Sequence, residues 1–361
     1  MSSPAPTKGE SERQAFWAEL WDAISIRTVL LVVGVLLLQL GFILSYVAAF
    51  HSPKPSRIPI VVVAPAGFAG KIVSELNAIA STPLHARAVD SEQQARRLLE
   101  EDATSAAFVV DVASKTDTLL VASAEGASLA TAVETIITDV EASQHRTARV
   151  TDAVPLQSGD GHGLTGFYLV IGWIVGGYLV ASLLGIASGA RPATTRRALI
   201  RLLALVPYAI VSGLGGAIVV GPVLGALTGH LVALWWLGVL LVFAAAAVTM
   251  AFQVLFGVLG IGITVLVFVI LGNPSAGGAY QAALLPPFWR AISSALPNGA
   301  GTDAVRRIVY FGARGIGGHI IVIALYALGG VVIAVVGSLR HHSGATTDRS
   351  GAPGAIATMD I

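Results

Sequence analysis

The chain has 361 residues, of which 55% are hydrophobic and only 12% are charged, and its mean hydropathy is +0.77. Soluble domains usually carry about 25% charged residues, so this composition predicts an integral membrane protein surrounded by lipid. A net charge of +1 supplies no basic stripe for a row of phosphates, so no nucleic-acid partner is expected. The lack of cysteine excludes disulfides, thiolate metal sites and cysteine nucleophiles.

The first fifty residues predict a leader and one span. Residues 1–26 begin polar and become amphipathic in RQAFWAELWDAISIR, a pattern that suits either a helix at the membrane surface or one packed against its own bundle. Residues 27–50 contain an uncharged apolar run long enough for a hydrocarbon core of about 30 Å. A cleaved signal peptide is the alternative, but the run is too long and the segment before it is not basic, so a retained transmembrane helix is predicted.

Residues 51–163 predict an α/β domain. Four segments have the composition of strands, namely IPIVVVAP, LHARAVD, ATSAAFVVDV and TDTLLVASA. Three segments are predicted helices, namely AGFAGKIVSELNAIA, SEQQARRLLEED, which opens with the capping-box pair Ser91 and Gln94, and SLATAVETIITDVEASQH. The domain carries nine Lys and Arg against fourteen Asp and Glu, an acidic balance that is uncommon for a cytoplasmic segment beside a span.

Five further spans are predicted, at residues 164–186, 202–227, 231–251, 254–272 and 319–338. The loop after the second span, SGARPATTRRALIR, contains four arginines and no acid, which places it in the cytoplasm by the positive-inside rule. Alternation then puts both termini in the cytoplasm and the α/β domain outside. The turn between the fourth and fifth spans is placed at 251–254 on Gln253 alone. The small, polar tail, residues 339–361, is predicted to be disordered.

The segment 273–318 is rich in proline and glycine and predicts two short helices. Pro286 and Pro287 suit the first turn of a helix that Pro297-Asn298-Gly299 would end, and Thr302 is expected to cap a second helix, DAVRRIVYF. Such helices are too short to cross a bilayer, so the segment is predicted to dip into the outer leaflet and return. A surface hairpin is the alternative. The segment 273–318 contains four arginines, which by the positive-inside rule would favour the cytoplasm and so oppose its assigned outside location. The arginines of the loop after the second span carry more weight, because they flank their spans more closely.

The sequence contains none of the common motifs for ATP hydrolysis, proton relay, metal binding or a catalytic serine. Gly70-Lys71 is followed by Ile72, where a phosphate-binding loop needs Ser or Thr. No Asp, Glu, Lys or Arg falls in the middle of a span, so a proton relay within the membrane has no carboxylate. The eight histidines show no metal-ligand spacing, and no serine lies in a Gly-x-Ser-x-Gly context. The sequence therefore predicts no enzyme activity, no metal and no cofactor. Glycine runs within the spans predict closely packed helices.

Three short patterns in the last third of the chain resemble the outer-face signature of ABC-2-type membrane proteins. They are Asn273-Pro274-Ser275-x-Gly277-Gly278, Leu285-Pro286-x-Phe288-Trp289, and Leu296-Pro297 followed by an arginine-bearing helix. The leader FWAELWDAISIR and the domain after the first span are similar to the YhgE/Pip (phage infection protein) group and to the nitrosoguanidine-resistance proteins. Where that group tends to carry Asp-Pro-Arg-Gly, this chain has Asp160-Gly161-His162-Gly163.

The resemblance implies an α-helical polytopic fold with six transmembrane helices in the ABC-2 arrangement, an inserted extracytoplasmic α/β domain, and a homodimer. It also implies that a separate ATP-binding cassette subunit docks on the cytoplasmic loop, at Arg191, Arg196 and Arg197. Orientation alone would also explain these arginines. An external gate is implied at Asn273, Pro274, Gly277, Gly278, Pro286, Pro287, Trp289, Arg290 and Arg306.

These expectations lead to two functional hypotheses. The first is a permease-like subunit that exports hydrophobic, lipid-like or toxic compounds across the plasma membrane and is energised by a separate ATPase. Apolar spans without charge suit such cargo better than ions or sugars. The second is an envelope protein that transports nothing and acts through its α/β domain as a secretion scaffold or a phage receptor.

Overall fold

The computed structural model describes residues 26–190, 192 and 194–347, together with residues 9, 13, 16, 17 and 19. Most of the predicted leader, Arg191 and the tail from residue 348 lie outside the described residues. Within the described part, five helices are long and apolar enough to cross a membrane. A domain with a five-stranded sheet lies between the first and second of these helices, as predicted.

The first helix, α1 (Ile26–Phe50), leads into the α/β domain. The domain consists of β1 (Ile58–Val63), α2 (Ala69–Asn77), β2 (Leu84–Ala88), α3 (Glu92–Glu100), β3 (Ala106–Val109), β4 (Thr116–Val121), α4 (Ala127–Ser143) and β5 (Thr147–Asp152). The strands lie in the order β2-β1-β3-β4-β5, and only the β3–β4 pair is antiparallel. The predicted capping pair is confirmed, because Ser91 Oγ accepts a hydrogen bond from Gln94 N at 3.2 Å.

The sheet is buried on both faces, which explains its near-continuous apolar strands. On one face Ile58, Ile60 and Phe108 pack with residues of α2 and α4, and on the other Val61 and Leu120 pack with residues of α3. The fifth strand is missing from the sequence prediction. Its sequence, TARVTD, lies at the edge of the sheet with no fully buried residue, so it lacks the apolar run that marks the other strands.

Four long helices form the bundle after the domain: α5 (Thr165–Ser188), α6 (Thr195–Ile218) with a π-helical extension (Val219–Val223), α7 (Leu231–Phe256) and α12 (Gly317–Thr347). Helix α7 lies in the centre and contacts the other three. Close packing at glycine is confirmed, because a Cβ on Gly213 would lie 2.7 Å from Val239 N and one on Gly330 would lie 2.6 Å from the Ala247 backbone.

Several predicted boundaries are wrong. Helix α6 begins at Thr195, not at residue 202, because Thr194 Oγ1 accepts a hydrogen bond from Arg197 N at 3.2 Å and caps it. Helix α7 continues through the predicted turn at 251–254 and ends at Gly257, where φ is +62°. The supposed turn marker, Gln253, is only 2% exposed. Helix α12 extends to Thr347, so the tail predicted to be disordered from residue 339 is helical up to that point.

The predicted fifth span is an interrupted run, Leu259–Ser275, shorter than the five long helices. It comprises α8 (Leu259–Val265), a π-helical stretch (Leu266–Leu271) and α9 (Gly272–Ser275). The π-helical stretch and α9 contact α1. The chain then enters the proline-rich segment, residues 273–318.

The proline-rich segment contains a 3-10 turn (Ala282–Leu284), α10 (Pro287–Ser293) and α11 (Pro297–Tyr310). Pro286 and Pro287 begin α10 as predicted. The second helix starts at Pro297 rather than after Thr302, whose hydroxyl lies inside the helix and donates to Asn298 O at 2.9 Å. Pro297 therefore opens α11 and does not end α10. Helix α11 packs against α5, α7 and α12, which excludes a surface hairpin for this part.

The two ends of the bundle differ. At the domain-side end the α/β domain lies against the proline-rich segment and the loop before α7, where Thr228 N donates to Gln157 Oε1 at 2.8 Å. At the opposite, basic end, Arg196 and Arg197 occupy the first turn of α6. Helix α6 runs from the basic end to the domain-side end.

Candidate functional site

The proline-rich segment is joined to the α/β domain through both backbone and core. Lys54 N donates to Leu284 O at 3.1 Å, and Ser56 N donates to Ala283 O at 3.0 Å. Leu284 is 2% exposed and packs in the domain core with Ile58 and Ile60. The domain core therefore includes a residue from this segment.

Two of the predicted gate residues join this segment to the end of α1 and to the linker that follows it. Trp289 is 7% exposed and packs with Ala49 and Leu285. Arg290 donates to Ala282 O at 3.2 Å, to Ser56 Oγ at 2.6 Å and to Leu285 O at 2.9 Å. The arginine therefore satisfies two backbone carbonyls of the stretch that precedes Pro286.

A turn near the start of the segment contains Gly277 and Gly278, and Arg306 of α11 binds it. Gly277 has φ of +75°, which favours glycine, and its carbonyl accepts from Arg306 at 3.0 Å. A Cβ on Gly278 would lie 2.4 Å from the ring of Phe167, so only glycine lets α5 approach. Arg306 also donates to Asp303 Oδ1 at 2.7 Å.

A fully buried polar contact joins the interrupted run to α11. Asn298 is 0% exposed, and its Nδ2 donates to Asn273 Oδ1 at 2.8 Å and to Phe268 O at 2.9 Å. Phe268 lies in the π-helical stretch, where the regular ladder of backbone hydrogen bonds is interrupted. Pro274, which is buried in α9, follows Asn273 directly. The structure thus brings all nine predicted gate residues to the domain-side end, and gating itself stays a prediction.

Asp160, in the sequence Asp160-Gly161-His162-Gly163, accepts a hydrogen bond from the first residue of α5. It is 4% exposed, and its Oδ1 accepts from Thr165 N at 2.9 Å. Its Oδ2 accepts from the Tyr310 hydroxyl at 2.6 Å, which joins α5 to the end of α11. Burial, followed by this hydrogen bond, raises the pKa of Tyr310, so the hydroxyl remains a donor at neutral pH.

Replacing Tyr310 with phenylalanine tests that connection. We expect Tyr310→Phe to lower the free energy of unfolding by about 1.5 kcal/mol, because Asp160 loses one donor and keeps Thr165 N. Thermal unfolding of the purified protein measures the change. Tyr168→Phe removes a hydroxyl from a tyrosine that is 62% exposed and should leave stability unchanged. Equal effects of the two changes would contradict the assigned contact.

An apolar cavity of about 640 Å³ lies between α5 and α6 at the domain-side end. Its described lining contains no charged side chain and includes Gly172, Trp173, Ser212, Gly216, Val219 and Leu224. Trp173 Nε1 donates to Ser212 O at 3.3 Å, and a Cβ on Gly216 would lie 2.3 Å from that nitrogen. Gly216 therefore makes room for the indole. Gly172 has no neighbouring atom within 4 Å of its Cβ position, so it borders open space.

Two of the three predicted ATPase-coupling residues, Arg196 and Arg197, lie at the other end of the bundle, whereas Arg191 lies outside the described residues. Arg196 and Arg197 are exposed in the first turn of α6, where the helix dipole disfavours positive charge. Arg201, one turn further on, donates to Gly189 O at 2.8 Å and to Ser188 O at 2.6 Å and so caps α5. Arg201 thus has a structural role that accounts for it, whereas Arg196 and Arg197 face outward.

Sequence reasoning identified the glycines of α5 and α6 but missed the cavity they border. It also missed Asp102, Glu125 and Gln281, which meet where the domain contacts the proline-rich segment. No short pattern marks these residues, because they are brought together from distant parts of the chain. The pairing of Asp160 with Tyr310 likewise has no local signal.

No protein-family model, curated protein or solved structure matches this chain. The described residues themselves define the class. They form five long apolar helices with a mixed five-stranded α/β domain inserted between the first two, an arrangement suited to a multi-pass membrane protein.

Proposed function

We propose that this chain is the permease-like subunit of an ABC-2-type exporter for hydrophobic or lipid-like compounds, energised by a separate ATPase. The observation that carries the proposal is the uncharged cavity between α5 and α6. Its volume of about 640 Å³ falls in the usual range for small-molecule sites. Because its walls are apolar, with a few hydroxyl and indole groups, it suits amphipathic cargo.

The run Leu259–Ser275 provides the sixth crossing in this proposal. At about 1.5 Å per residue its length is roughly 25 Å, slightly less than a hydrocarbon core. The Asn273–Asn298 contact then joins the crossing directly to α11, which returns among the other helices. With the basic end in the cytoplasm, the α/β domain and the proline-rich segment lie outside the plasma membrane. The resemblance of the sequence to ABC-2-type proteins further supports a homodimer.

One helix connects the proposed ATPase contact to the proposed cargo cavity. Helix α6 carries Arg196 and Arg197 at the basic end and Ser212 and Gly216 in the cavity wall. Where it borders the cavity at Val219, the helix passes into the π-helical extension, which contains Pro222. A movement imposed on the arginines would therefore reach the cavity along a single helix, which contains Pro207 between the two.

Filling the cavity tests the proposal. We expect Gly172→Phe to reduce export of a fluorescent hydrophobic probe by about tenfold or more in vesicles that also contain the co-purifying ATPase, because the ring occupies the space that holds cargo. The matched control is Gly215→Phe on α6. Both Cβ positions have no atom within 4 Å, but Gly215 does not line the cavity.

Three outcomes would decide against the exporter. Equal transport by both variants would show that the cavity does not hold cargo. A wild-type protein that moves no hydrophobic probe with every co-purifying ATPase would favour the envelope-protein alternative. Transport that collapses with the proton gradient while ATP is absent would point to a proton-driven pump.

A further inference from the structure

We propose that a small polar cavity between the α/β domain and the proline-rich segment binds a primary ammonium group. This domain-junction cavity has a volume of about 220 Å³. Its lining includes Asp102, Ser105, Glu125, Gln281, Asp303 and Arg306. The site does not depend on the proposed export activity, since it lies in the contact between the domain and the segment.

Two oxygen atoms in this cavity have no hydrogen-bond donor among the residues that the structure describes. Glu125 Oε1 accepts from Ser105 Oγ at 2.9 Å, but Glu125 Oε2 is buried with no partner. Gln281 is 8% exposed, and its buried Oε1 also has no partner. The amide packs tightly over Gly126, where a Cβ would lie 1.9 Å from Gln281 Cδ. A buried acceptor without a donor costs free energy, so the pair predicts a missing donor.

The arginines that line the cavity are already engaged. Arg306 donates to Asp303 and to the Gly277 carbonyl. Arg307 pairs with Asp102 at 2.5 Å and donates to Arg314 O at 3.0 Å. Asp102 and Asp303 are therefore balanced by the two arginines. The carboxylate of Glu125 is left without a cation of its own.

An ammonium group meets both requirements, because it carries a positive charge and up to three N–H donors. Two free oxygens are too few for Ca²⁺, which takes roughly six to eight oxygen ligands. Burial, with a smaller contribution from the negative charge of Asp102, raises the pKa of Glu125 to about 7. A proton therefore competes with the ammonium group for this carboxylate.

The competition between a proton and the ammonium group for Glu125 determines how ammonium binding depends on pH. Below pH 7 Glu125 is largely protonated and the cavity needs no cation. Above pH 7 the carboxylate is ionised, so ammonium binding should strengthen as pH rises through about 7. The surrounding charges are paired with one another, Asp303 with Arg306 and Asp102 with Arg307.

Thermal unfolding of the full-length protein in detergent provides the test. We expect methylammonium chloride to raise the melting temperature by a few degrees at pH 8 and by much less at pH 6. Tetramethylammonium chloride has the same charge and counter-ion but no N–H donor, and it should have little effect. Glu125→Gln should abolish the methylammonium effect at both pH values. Gln281→Met is a second, independent variant with the same expected result.

Glu134→Gln is the control, because it neutralises an exposed carboxylate on α4 and should keep the full response. The proposal is overturned if the two cations act equally, or if both cavity variants still respond to methylammonium. The ammonium group could belong to a soluble amine or to an ethanolamine lipid headgroup. Added stability in phosphatidylethanolamine nanodiscs over phosphatidylcholine ones, lost in Glu125→Gln, would support the lipid. A methylammonium response without that lipid effect would support a soluble amine.

Discussion

Asn298→Leu is expected to lower the free energy of unfolding by about 2 to 6 kcal/mol, because two buried acceptors each lose a donor at a cost of about 1 to 3 kcal/mol. The acceptors are the Phe268 carbonyl and Asn273 Oδ1, both held by Asn298 Nδ2. Leucine keeps a similar volume and removes the donor. Asn298 Oδ1 has no partner among the described residues, so the loss comes from the amide nitrogen alone.

Equilibrium unfolding of the purified protein measures this loss, and Thr138→Ala serves as the control. Thr138 is an exposed residue on α4, where a substitution should change stability by less than about 0.5 kcal/mol. If Asn298→Leu were as stable as the control, the contact between the interrupted run and α11 would be absent. The proposed sixth crossing would then lose its connection to the proline-rich segment.

Gly177→Ala should destabilise the protein by about 3 kcal/mol, at the upper end of the usual cost of overpacking. Its added Cβ would lie 2.4 Å from Val242 O and 3.0 Å from the Ala245 Cβ. Both neighbours belong to α7, the central helix, and a backbone carbonyl cannot rotate away. The variant must therefore separate α5 from α7.

Gly172→Ala is the matched control for this change, because it lies on the same helix and has no atom within 4 Å of its Cβ position. We expect the control to retain wild-type stability in thermal unfolding. If both variants unfolded at the same temperature as the wild type, α5 and α7 would not be in close contact.

The domain and its order along the chain could be predicted because its signals are local. Apolar runs mark four strands, and Ser91 with Gln94 marks the start of α3. Strand β5 could not be predicted in this way, since it forms at an edge with little burial. The start of α6 was misplaced because hydropathy detects apolar length, whereas the helix begins at the polar cap Thr194.

Other errors arose from side chains whose roles are set by tertiary contacts. Gln253 looks like a turn residue in sequence, but it is buried against Gly185, where a Cβ would lie 2.4 Å from its Nε2. Thr302 looks like a helix cap, yet Pro297 starts the helix one turn earlier.

The candidate site was only partly predictable for the same reason. The sequence patterns identified the residues that gather around the proline-rich segment, because they are close in the chain. The apolar cavity and the domain-junction cavity need helices and loops from distant positions to meet. Glu125 and Gln281 are 156 positions apart, so no window of sequence relates them.

Orientation is the central claim, since the proposal needs the basic end in the cytoplasm and the α/β domain outside. The cysteine-free chain allows single-cysteine labelling with a membrane-impermeant maleimide. Ser143→Cys, at the exposed end of α4, should be labelled on intact cells, and Ser188→Cys, at the basic end, only after permeabilisation. Labelling of Ser188→Cys but not of Ser143→Cys on intact cells would place the domain in the cytoplasm and contradict the proposed exporter.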